Sequence, residues 1–111
     1  MRIERGEVYW VDFDPSVGGE TKKTRPAIII SNNAANVVLN RVQVIPITSK
    51  TGRVYRAEAI IRLRGEERKA MGDQLTTVSK ERLGGKLGTI TSEEMARVEA
   101  AIAIQLALTL K

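Results

Sequence analysis

The order of apolar and polar side chains divides this chain into a series of short extended runs followed by one helix. Residues 6–13 alternate, with Val8, Trp10 and Asp12 on one face and Tyr9, Val11 and Phe13 on the other, the period of two expected of a strand. Core packing is the expected fate of this aromatic cluster, Trp10 included. Asp14-Pro15 then reads as a turn and residues 17–21 as a flexible glycine-containing loop. Residues 27–30 are a continuous, largely β-branched run, as in a strand covered on both faces. Pro26 fixes its own backbone and pushes Arg25 towards extended geometry, so Arg25 should stand at the strand's mouth.

Asn32 or Asn33 is expected to cap a helical turn over 34–39, ended by Asn40. Residues 41–47 read as a strand interrupted by Pro46, which implies an edge or a bulge. A strand over 57–63, a solvated charged turn over 65–69 and a strand over 71–78 follow, the last with Asp73 and Gln74 in its middle. Residues 79–82 suggest one helical turn ended by Gly84-Gly85, and 86–90 a short strand. Thr91-Ser92-Glu93-Glu94 is a capping box. After it Met95, Val98, Ile102, Leu106 and Thr109 recur at helical spacing, an apolar stripe fit to pack on a sheet. Ile104, Leu108 and Leu110 fall partly off that stripe and hint at a partner surface.

Composition narrows the chemistry. With 111 residues the chain is expected to form a single domain, 1–111, with one core. Eighteen Lys and Arg against thirteen Asp and Glu give a formal charge of +5, which favours phosphate-rich partners. The absence of cysteine and histidine removes disulfides, thiolate metal sites, a thiol nucleophile and the usual neutral-pH base. The carboxylates Asp12, Asp14, Glu66 and Glu67 have no nitrogen or sulfur donors beside them, so neither a metal nor a cofactor is expected. The charged start and the lack of an apolar run near twenty residues point to a soluble, cytoplasmic protein with no membrane association.

Candidate chemistry gathers in two stretches. In Lys22-Lys23-Thr24-Arg25-Pro26 a permanently charged guanidinium is carried by a rigid element yet faces solvent, which suits a phosphate. Thr48-Ser49-Lys50-Thr51-Gly52 offers hydroxyl and ammonium donors to the same kind of ligand. Each also has an ordinary account, as a solvated arginine and as turn chemistry. Tyr9 or Phe13 becomes a stacking platform for bases only if it lies at an open edge.

Four segments taken in order resemble the MazF/PemK (Kid) toxins of type II toxin–antitoxin systems. They are Gly6-Glu7-Val8-Tyr9-Trp10-Val11-Asp12; Lys23-Thr24-Arg25-Pro26-Ala27; Pro46-Ile47-Thr48-Ser49; and Asp73-Gln74 followed by Thr77-Val78-Ser79-Lys80-Glu81-Arg82-Leu83. The resemblance covers nearly the whole chain. It implies an SH3-like small β-barrel (CcdB/PemK-like) with a C-terminal helix, acting as a homodimer. It implies a metal-independent endoribonuclease cutting single-stranded RNA at short motifs, silenced by a cognate antitoxin. Members that use an arginine and a threonine carry them at the positions of Arg25 and Thr48. The Kid branch places an arginine two residues before an aspartate; here Met71 precedes Asp73, which favours the Arg25/Thr48 arrangement. Some relatives also have an arginine where Thr76 stands.

On that reading Arg25 and Thr48 are catalytic, and Lys22, Lys23, Thr24, Pro26, Asn36, Ser49, Asp73 and Gln74 contact RNA. Gln74 and Asn36 would read bases. The expected chemistry is attack by the RNA 2′-hydroxyl, giving a 2′,3′-cyclic phosphate and a 5′-hydroxyl. Two rivals remain: a CcdB-like gyrase poison, although the chain ends Leu108-Thr109-Leu110-Lys111 and not in Trp-Gly-Ile, and a non-catalytic nucleic-acid-binding SH3-like module.

Overall fold

A computed structural model describes residues 2–13 and 24–109. The turn at Asp14-Pro15, the loop over 17–21, Lys22, Lys23 and Leu110 lie outside the described residues. In chain order the elements are β1 (Glu7–Asp12), β2 (Thr24–Ile29), helix α1 (Asn33–Val38), β3 (Arg41–Thr48), β4 (Glu58–Leu63) and β5 (Glu66–Met71). A 3-10 turn (Gly72–Gln74), β6 (Thr76–Ser79), a second 3-10 turn (Lys80–Arg82), β7 (Leu83–Thr89) and helix α2 (Ser92–Leu106) complete it. The strands form one antiparallel sheet in the order β4-β5-β3-β2-β1-β7, with β6 also on β3. The sheet curls into a half-barrel carrying the C-terminal helix, the expected SH3-like architecture.

β3 is the hub, and Pro46 does not make it an edge strand. One side pairs with β2 through Ala27↔Pro46, Ile28↔Ile45 and Ile29↔Val44. The other side pairs first with β6, over residues 41–44, and then with β5, over Ile47 and Thr48. Pro46 falls in the gap between those two partners, where a missing N–H costs no ladder bond.

Two stretches differ from expectation. The charged residues 66–69 are not a turn but the start of β5; only Arg64 and Gly65 turn, both at positive φ (53° and 82°), the geometry of a two-residue hairpin loop. Residues 71–78 are not one strand. The Gly72 N–H bonds the Ala57 carbonyl at 2.9 Å, and a Cβ on Gly72 would lie 2.5 Å from that oxygen. The chain bends there, so Asp73 and Gln74 sit on an exposed turn instead of interrupting a ladder.

Alternation sends apolar side chains to both faces. Val8, Ile28, Ile45, Ile47 and Ile61 pack with Val98 and Ala101 of α2; Tyr9, Val11, Ala27, Ile29, Val42 and Val44 form the opposite cluster. Each fully buried Val or Ile contributes roughly 1.5–3 kcal/mol. The capping box is present: Thr91 Oγ1 accepts from Glu94 N at 3.1 Å and Glu94 Oε1 from Thr91 N at 2.8 Å. Glu94 Oε2 also accepts from Arg62 N at 2.6 Å, fastening α2 to β4. The apolar stripe holds at Met95, Val98 and Ile102 but not at Leu106, which is exposed together with Ile104, Leu108 and Thr109. Ala107, at positive φ, caps the helix there.

Candidate active site

A cavity of about 420 Å³ opens at the ends of β2 and β3. β1 contributes Trp10 to its wall, β2 Arg25 and Pro26, β3 Ile47 and Thr48, the following turn Ser49 and Lys50, and β5 Arg68. Strand register brings them together. The β2–β3 pairing ends at Ala27↔Pro46; carried two residues further, it sets Arg25 opposite Thr48. The β3–β5 pairing ends at Thr48↔Lys69; carried one residue further, it sets Ser49 opposite Arg68.

The polar lining is one-signed. Among the described residues that line it are three cations, Arg25, Lys50 and Arg68, and no carboxylate. The Arg25 guanidinium has no hydrogen-bond or ion-pair partner among the described residues, and its fork carries five N–H donors suited to an oxyanion. Thr48 Oγ1 accepts from Lys50 N at 3.2 Å. That bond orients the hydroxyl through a lone pair and leaves its proton to donate. The turn continues to a buried anchor: Lys69 Nζ bonds Arg53 O at 2.9 Å and pairs with Glu58 Oε1 at 3.1 Å, both side chains about 10% exposed.

Several expected site residues lie elsewhere. Thr24 is exposed at the end of the β1–β2 ladder, opposite Asp12, and does not line the cavity. Asp73 and Gln74 are exposed on their 3-10 turn, also outside the lining. Asn36 is not available as a base reader: it is 1% exposed, accepting from Ser31 Oγ at 2.5 Å and donating to Ser31 O at 2.9 Å. A small buried amide with both ends satisfied is a brace between α1 and the end of β2. Lys22 and Lys23 are outside the described residues.

Trp10, Ile47 and Arg68 line the cavity without having been expected there, and the first and last carry chemistry. Trp10 is 41% exposed and not a core residue. The β1–β7 ladder shifts register between Tyr9 and Val11, leaving Trp10 unpaired on that side, and a Cβ added to Gly84 would lie 3.2 Å from the Trp10 Cβ. Tyr9, by contrast, is buried, its hydroxyl donating to Glu7 Oε1 at 2.8 Å. Burial first, then that bond, pushes the phenol up to about 12, so Tyr9 offers no stacking platform; Phe13 packs against the second core cluster. Arg68 was read as a solvated turn residue; it stands instead in β5, paired with Ile61 of β4.

A family model described as PemK-like, MazF-like toxin of type II toxin-antitoxin system matches residues 4–106. The chain belongs to this toxin family. Over 115 aligned residues this MazF-like toxin is 30% identical to endoribonuclease MazF9 of Mycobacterium tuberculosis (strain H37Rv), covering 96% of this chain and 98% of the relative. It is 32% identical over 113 residues to endoribonuclease EndoA of Bacillus subtilis (strain 168), covering 97% of each. A solved endoribonuclease in complex with its cognate antitoxin, from a mycobacterial species, superposes with a TM-score of 0.80 at 26% identity, covering 98% of this chain and 99% of that one.

Proposed function

We propose that this toxin is an endoribonuclease that cuts single-stranded RNA at the Arg25–Thr48 cavity by attack of the substrate's own 2′-hydroxyl. The observation that carries the reading is the pairing of a guanidinium without a partner among the described residues with an oriented hydroxyl, in a cavity whose described charged lining is cationic. Two relatives, MazF9 and EndoA, are named as endoribonucleases, which supports the same reading.

RNA brings its nucleophile with it, so the protein must align that oxygen with phosphorus and the leaving 5′-oxygen and stabilise the added negative charge. Arg25 performs the second task, its planar fork bridging two non-bridging oxygens as charge develops. Thr48 donates to a phosphate oxygen or the leaving group, and Ser49 helps seat the phosphate. Arginine stays protonated in water and cannot serve as a conventional base, so alignment and charge stabilisation carry the rate. On this reading the route is metal-independent, since the nucleophile comes from the RNA and the charge is met by the guanidinium. The active form is a homodimer in the cytoplasm, and a cognate antitoxin covers the cavity. The antitoxin complex of the mycobacterial structure supports that partnership.

The test is cleavage of a long unstructured RNA in excess EDTA, with chemical analysis of the new ends. Cutting that leaves a 2′,3′-cyclic phosphate and a 5′-hydroxyl is expected. A 3′-hydroxyl with a 5′-phosphate, or cutting abolished by EDTA, overturns the mechanism, because either points to metal-activated water.

A further inference from the structure

Arg68 reaches the cavity from the side opposite Arg25. β2 and β5 flank β3, two strand spacings or about 10 Å apart, so the two guanidiniums rise from opposite walls and line one space. Their states differ. Arg25 is unpartnered among the described residues, whereas Arg68 Nη2 is 2.6 Å from Glu66 Oε2 and Nη1 donates to Glu67 O at 2.9 Å. The Arg68 side chain is 27% exposed and that of Glu66 68% exposed. A carboxylate held against the fork of a cavity-lining arginine occupies the place of another planar or tetrahedral oxyanion. An ion pair so open to water is weak, and a phosphate diester can displace it. Three of the five N–H donors of Arg68 remain unused even with Glu66 in place.

We propose that Arg68 is a second phosphate-binding residue of this site, gripping the RNA backbone phosphate next to the scissile one, with Glu66 as the anion it exchanges for that phosphate. The inference rests on the ribonuclease reading of the cavity. RNA lying across the end of β3 would then be held on both sides of Thr48, which fixes the backbone direction at the bond to be cut. The task of Arg68 is affinity and register, while charge stabilisation stays with Arg25.

The experiment measures binding without chemistry. A short single-stranded RNA with 2′-O-methyl on every ribose cannot be cut, and its fluorescence anisotropy reports affinity for the full-length toxin over a series of salt concentrations. Arg68→Ala should weaken binding about tenfold and lower the slope of log affinity against log salt by about 0.7, the share of one single-strand phosphate. Glu66→Gln should act in the opposite direction, tightening binding about two- to threefold. Arg68→Lys, which keeps the charge but not the fork, should keep the salt slope and regain part of the affinity; with Glu66→Gln it decides the matter if Arg68→Ala does not fold. Unchanged affinity and slope in Arg68→Ala overturn the proposal. So does weakening by Glu66→Gln together with a lower Tm, since the pair would then be only a brace. An unmodified RNA of the same sequence, and a long transcript, report cutting separately: a wild-type toxin that binds but leaves both whole overturns the ribonuclease reading, while the opposed effects of the two variants still decide whether Arg68 grips phosphate.

Discussion

Arg25 stands opposite Thr48 in the β2–β3 register, two positions beyond the last paired residues of that ladder. The ladder therefore fixes both backbones while both side chains line the cavity. Neighbouring strands lie about 4.8 Å apart, close enough for a guanidinium and a hydroxyl to engage one phosphate together.

Removing either group should separate activity from stability. Arg25→Ala is expected to lower kcat/KM by about a thousandfold, and Thr48→Ala by about ten- to a hundredfold, in line with the loss of single preorganised donors. Arg25→Lys should recover little, because an ammonium cannot bridge two oxygens. Neither alanine variant should shift Tm by more than about 2 °C, since neither residue anchors the core. Near-normal turnover by a folded Arg25→Ala protein would return Arg25 to the status of a solvated side chain.

The turn that follows Thr48 hangs on Lys69, which pairs with Thr48 in register and holds both Arg53 O and Glu58. Lys69→Met leaves the Glu58 carboxylate buried without its cation and should cost about 3 kcal/mol. The double variant Lys69→Met/Glu58→Leu should be less destabilised than the single one, a non-additivity seen by urea unfolding. Additive losses would show that the pair contributes nothing jointly.

Asn36 separates a base reader from a brace. Asn36→Ala strands Ser31 inside the protein and should cost about 2 kcal/mol. The cleavage sites mapped by primer extension on a long RNA should stay the same. A changed site preference at unchanged stability would restore the base-reading role.

Acid should loosen the helix α2 junction through Glu94. Burial opposes ionisation of its carboxyl, but hydrogen bonds from Thr91 and Arg62 outweigh that and hold it below the ordinary value of 4.5. A carboxyl depressed in the folded state stabilises fully above the unfolded value and loses that contribution as pH falls through the folded one. Wild-type Tm should therefore drop below pH 4.5. Glu94→Gln should start lower at pH 7 and fall less steeply; parallel profiles would rule Glu94 out as the group responsible.

The local signals in the chain proved readable and the distant ones did not. The β-branched run after Pro26 and the capping box at Thr91 depend on neighbours in sequence, and both stand as the pattern implied. Residues 66–69 looked like a solvated turn because Lys69 is tolerable in a buried strand only with Glu58 and Arg53 beside it, and those partners come from another part of the chain. The bend at Gly72 was hidden for the same reason, since only the approach of Ala57 O forces it. Trp10 misled through its chemistry: an indole normally favours burial, and a slip in the β1–β7 ladder turned it outward. For the cavity, Arg25 and Thr48 could be named from their segments, but Arg68 could join them only through the β3–β5 register.

The change of neighbours along β3 has a consequence for when the toxin becomes dangerous. Thr48 faces Arg25, and Ser49 faces Arg68, through pairings that span about twenty residues in each direction, and such contacts close late because chain entropy resists them. A half-folded chain on the ribosome thus holds the separate parts of a nuclease without a working one. On the proposed reading cutting begins only with the finished sheet, which would leave an inhibitory partner an interval in which to bind first.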